Sequence, residues 1–186
     1  MILFSPPQGP EPKLKARTIN ILKQNVYDNI DRITQKRSDI SDIADVKIKD
    51  AISSDTSESL DGAVISEHVE FRDAKLRKRL QLVLEPEEVL AVDDTIEAKK
   101  ESFCYRLNLP ESISDNILQP LARAIHRYLV YGALFDWYSD LGLLQQASVY
   151  EATLKDIEEE IVGALKGPSI AKRPAQPFGP ASKTLF

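Results

Sequence analysis

Apolar residues between Lys13 and Lys36 fall at Ile19, Leu22, Val26, Ile30 and Ile33. Steps of three and four predict one face of a helix. Ser38 or Asp39 is placed to cap a second helix, with Ile40, Ile43, Val46 and Ala51 turned inward. The polar run SSDTSESLDG reads as a loop or a helix start. From 63 to 80 a helix is expected with an imperfect period. Lys75, Arg77, Lys78 and Arg79 crowd its C-terminal half, where they suit the negative end of the helix dipole.

The period then changes. Phe103, Tyr105, Leu107 and Leu109 alternate with other residues, and a repeat of two predicts a strand with one buried face. LQLVL (80–84) and VLAV (89–92) are the candidate partners, giving a two- or three-stranded excursion over about 80–110. After it, Ser112 or Ser114 is a candidate cap, and Pro120 sits at a first helical turn or a kink. Ile117, Leu121, Ile125, Tyr128, Gly132, Phe135 and Tyr138 follow at helical spacing. Gly132 leaves room for a neighbouring helix, and Gly142 can end the run with a positive φ. A further helix over 143–165 buries Ala147, Tyr150, Leu154, Ile157, Ile161 and Leu165. The short link makes the pair an antiparallel hairpin.

The expected fold is therefore mostly α: a helical bundle with a C-terminal antiparallel hairpin, a small β excursion and extended proline-rich termini. Prolines set the boundaries. Pro6, Pro7, Pro10 and Pro12 mark an N-terminal arm over 1–13, and Pro168, Pro174, Pro177 and Pro180 mark a C-terminal arm over 166–186. The helical body, with its β insertion, spans 14–165.

Composition narrows the function classes. The chain of 186 residues is 42% hydrophobic and 28% charged, ordinary for a globular domain. No apolar run reaches the roughly 20 residues that span a bilayer. The opening MILFSPPQGPEPK lacks a basic segment and does not read as a signal peptide. Net charge is −5, against nucleic-acid binding by the whole chain. The C-terminal arm has Lys166, Lys172, Arg173 and Lys183 and no acid, so its +4 leaves −9 on the rest. An acidic body with a basic tail suggests an acidic docking site for the tail, for example on a neighbouring copy; a solvated tail is the alternative.

Chemistry finds little purchase. Cys104 is the single cysteine, and His68 and His126 are the only histidines, too few for the usual zinc sites. There is no nucleophile elbow, no phosphate-cradling glycine loop and no calcium-loop grammar in EPEEVLAVDD or KDIEEE. The expectation is no enzyme, no cofactor and no metal. One stretch stands out. IHRYLVYGALFDWYSD (125–140) holds three of the six tyrosines and the only tryptophan. Rings that can each bury ~150–250 Å² serve either a packed core or a subunit interface.

The segment LARAIHRYLVYGALFDWYSDLGLLQQASVYEATLKDIEEEI resembles the C-terminal helical hairpin of tailed-phage head–tail connector proteins, particularly the adaptor and ring subunits of crAss-like phages. Tyr128, Tyr131 and the Phe135-x-Trp137-Tyr138 cluster, followed by a tight turn and a helix of spaced apolar and acidic residues, make the likeness. SISDNILQPL resembles the lead-in to that helix. The likeness covers about 112–161; the proline-rich arms and the β excursion depart from compact adaptors. It implies a homo-oligomeric ring in the virion neck, commonly twelve-fold, linking the portal to the tail. DNA would pass nearby without specific binding, and the arms would reach the portal or adjacent rings. The other reading is a non-enzymatic scaffolding module that docks partners through its arms. The candidate partner-interface residues are Pro6, Pro7, Trp137, Lys172, Arg173, Phe178 and Phe186.

Overall fold

The computed structural model describes residues 13–40, 60–84 and 101–166. Pro6, Pro7, Lys172, Arg173, Phe178 and Phe186 lie outside them, as do residues 41–59 and VLAV. The elements in order are strand β1 (Leu14–Leu22), helix α1 (Lys23–Ile40), helix α2 (Leu60–Leu80) and strand β2 (Ser102–Pro110). A 3-10 turn (Asp115–Ile117), helix α3 (Leu118–Asp140) and helix α4 (Leu144–Lys166) complete the described chain. The fold is mostly helical with a small antiparallel sheet, as expected.

The first expected helix is corrected at its N-terminal end. Ile19 and Leu22 belong to β1, and only Val26, Ile30 and Ile33 lie on α1. Arg17, Ile19 and Ile21 are the buried positions of the strand, while Leu22 is exposed. Period two wins there because Ile19 and Ile21 are β-branched and gain a cross-strand partner each. Ser38 and Asp39 sit within α1, so neither starts a new helix there.

The 102–109 strand forms as read, but its main partner is β1. Ile21 pairs with Phe103, Ile19 with Tyr105 and Arg17 with Leu107. LQLVL contributes less: Leu84 makes an isolated bridge to Leu107, and the Asn108 amide donates to the Val83 carbonyl at 2.7 Å.

Helix α3 packs against β1, α1, α2 and α4 and is the centre of the core. Pro120 lies in its first turn, where backbone donors have no helical acceptor to lose. Ser114 caps the preceding 3-10 turn by accepting from the Asn116 amide. At the other end Gly142 has φ of 73°. The Leu143 amide donates to Tyr138 and the Gly142 amide to Ser139. That is a Schellman ending, and it reverses the chain into α4.

Arg17 fastens β1 to the entry of α3. Its side chain is buried, and its guanidinium donates to the carbonyls of Leu109 and Ile113 and to Asp115. Lys15 also reaches Asp115. Hydrogen bonds from Arg17 and Lys15 hold the Asp115 carboxyl below its usual range. A carboxyl whose pKa falls on folding stabilises the fold above its unfolded pKa, and that contribution is lost as pH falls through the folded value. Thermal stability is therefore expected to drop as pH goes below about 4. Asp115→Asn should flatten that limb of a Tm-against-pH profile. The effect should be small and weaken in salt, because Asp115 is exposed. An identical acid limb in parent and variant would remove Asp115 from the account.

Candidate interaction surfaces

The aromatic run of α3 resolves into core. Trp137 is only 3% exposed, and Tyr128 and Tyr138 are fully buried. Trp137 and Tyr138 lie 5.0 Å apart between ring centroids. Tyr138 stacks on Tyr150 of α4 at 5.7 Å, and Tyr131 meets Tyr150 at 5.8 Å. Arg37 of α1 lies over the Tyr150 ring at 4.8 Å and ties the first helix to the hairpin. Of the two roles open for Trp137, its position within the chain is that of a core residue.

The tyrosines offer no base at neutral pH. Burial pushes the pKa of Tyr128, Tyr138 and Tyr150 upward, so they stay protonated. Their hydroxyls are buried without an aligned hydrogen-bond partner among the described residues. Arg72 opposes the shift on Tyr128 electrostatically without an aligned hydrogen bond.

Two ionic assemblies lie in the core. Arg72 on α2 donates from Nε and Nη2 to the two carboxylate oxygens of Asp136 on α3, each at 2.6 Å. It lies over the Phe135 ring at 5.4 Å. A Cβ at Gly132 would stand 2.7 Å from Arg72 Cδ, so this glycine admits the arginine stem to the surface of α3. In the second assembly the Tyr105 hydroxyl and Arg77 Nε donate to Asp73, and Arg77 Nη2 donates to the Cys104 carbonyl at 3.0 Å. Burial, then Asp73, pushes the Tyr105 pKa well up. Both assemblies join α2 to its neighbours through satisfied, paired charges, an arrangement suited to holding helices in register.

Each histidine faces a neighbouring helix. His68 Nε2 on α2 lies 3.2 Å from Asp140 Oδ2 at the end of α3, without an aligned hydrogen bond. His126 Nε2 is 3.3 Å from the Asn29 side-chain amide and 3.4 Å from the Asn25 carbonyl of α1. Among the described residues no three His, Cys, Asp or Glu side chains converge to hold a metal. No helix among them is long and apolar enough to cross a membrane.

The exposed apolar residues were not singled out by sequence reasoning. On α2, Phe71 is 59% exposed and Val64 lies two turns before it. Both fall off the inward stripe Ile65, Val69, Leu76 and Leu80, a periodicity mismatch visible in the sequence. A second group lies at the far end of the hairpin and along α4: Leu141, Leu144, Val149 and Val162. Leu144 is 69% exposed. The two groups are on different elements, the first combining an aromatic with a branched aliphatic side chain and the second aliphatic throughout. Comparison with protein-family models, with curated proteins and with solved structures finds no match.

Proposed function

We propose that this chain is a structural subunit of a ring in the head–tail connector of a tailed phage, linking the portal to the tail around the DNA channel. The observation that carries the reading is that exposed apolar side chains lie on separate elements, Val64 and Phe71 on one face of α2 and Leu141 and Leu144 flanking the hairpin turn. Closed rings larger than dimers are built by head-to-tail contact, which requires two different patches on each subunit. The resemblance of 112–161 to connector hairpins points the same way. The excess of acids suits a channel through which DNA slides without its phosphates being held.

Native mass spectrometry and negative-stain imaging of the purified chain test the reading. A closed ring is expected, and Phe71→Glu should return it to single subunits. An exposed substitution of this kind alters the stability of one subunit by no more than ~0.5 kcal/mol, so the melting of the separated subunit should be unchanged. A chain that stays single at all concentrations, with or without portal protein, sinks the proposal. Capture of other proteins by the arms of a single subunit would favour the scaffolding module instead.

A further inference from the structure

Among the described residues the sheet has two strands, so the edge of β1 facing away from β2 has no partner strand. A groove of about 450 Å³ lies where the Ile21 end of that strand meets α3. Its walls are Ile21, Gln119, Ala122, Arg123, His126 and Arg127. The five from α3 share one helical face. No carboxylate lines the groove, although acids outnumber bases in the chain, 29 to 24. Arg123 is exposed and makes no ion pair among the described residues. Arg127 reaches Glu160 at 3.4 Å, but both side chains are half exposed and the contact holds Arg127 weakly.

We propose that this groove docks an extended, acidic segment of a partner protein. Such a segment adds backbone hydrogen bonds along the open edge of β1 and sets alternate side chains into the groove. Its carboxylates meet Arg123 and Arg127, and its small apolar side chains lie on Ile21 and Ala122. Charge complementarity selects an acidic segment over a basic one. A protein segment fits better than nucleic acid because the walls offer no Phe, Tyr or Trp ring as a platform for successive bases. The inference goes beyond the ring reading and does not need it, because the groove lies within one subunit.

Fluorescence anisotropy with the full chain tests this, using a labelled decapeptide of alternating glutamate and valine. A lysine–valine decapeptide and a single-stranded thymidine decamer serve as controls. Saturable binding of the acidic peptide is expected, weakened by salt and absent for the lysine peptide. The double variant Arg123→Glu, Arg127→Glu should bind at least about tenfold more weakly with an unchanged thermal melt. Hydrogen exchange should show peptide-dependent protection of β1 amides. The proposal is overturned by failure of the acidic peptide to saturate, by equal affinity for the lysine peptide, or by tighter binding of the oligonucleotide. It is equally overturned if the double variant binds like the parent, or abolishes self-association while the parent ignores the peptide. That last outcome would assign the groove to a second copy. These readouts are the same for a single subunit or a ring, so they separate this inference from the proposed function.

Discussion

Asp136→Ala is expected to lower the unfolding free energy by about 3–5 kcal/mol, because it leaves a buried guanidinium without its counter-charge. The Arg72 side chain is 5% exposed, and Asp136 accepts from both its Nε and its Nη2. Burial pushes the Arg72 pKa down, but the hydrogen bonds and charge of Asp136 more than offset this, so the guanidinium is firmly charged. It cannot escape the loss by neutralising, since an arginine keeps its proton in proteins. It would have to reach water by lifting its stem from the surface of Gly132, which loosens α2 from α3. At roughly 2–4 °C per kcal/mol for a chain of this size, Tm should fall by about 6–20 °C. Urea unfolding of Asp136→Ala, Arg72→Met and the double variant would measure the coupling. The double variant should be much more stable than the sum of the two losses implies, because no orphan charge is left behind. A cost for Asp136→Ala below about 1 kcal/mol would show that the pair is effectively solvated.

Trp137→Ala is expected to cost about 3–5 kcal/mol within the single subunit. Trp137 is in ring contact with Tyr138, which stacks on Tyr150, so removing the indole opens a void beside the stack joining α3 to α4. The loss should appear in denaturant melts at high dilution, where assembly contributes nothing. Melting that is unchanged at dilution, with weaker assembly at high concentration, would instead make Trp137 an interface residue.

The hairpin was readable because its signals are local. Leu121, Ile125, Tyr128 and Tyr138 share a face at helical spacing, and Gly142 follows the helix where a left-handed residue is needed. The strand over 102–110 was readable for the same reason, since four large apolar residues alternate without interruption. β1 was not, because one of its three inward positions is Arg17, a residue that signals solvent until its carbonyl partners are known. Ile19 and Leu22 also happen to extend the spacing of α1. The period of α2 looked imperfect because its buried stripe passes through Arg72 and Asp73, each matched by a residue on another element. At Gly132, where a neighbouring helix is expected, the close approach is by the Arg72 side chain from α2. The groove was invisible in the sequence because Ile21 joins α3 only through the fold, about 100 positions before the residues beside it.

The pairing of β1 with β2 also orders events at the ribosome. Arg17 and Asp115, its anchor beside the sheet, are 98 positions apart. Translation runs at about 5–20 residues per second, so the first strand emerges roughly 5–20 s before its complement exists. Through that interval β1 lacks both its pairing strand and α3, and of the elements that pack on it only α1 has been made. Cells making this protein in quantity would benefit from a holding chaperone acting on its first two dozen residues, and late closure of the sheet should dominate its refolding rate.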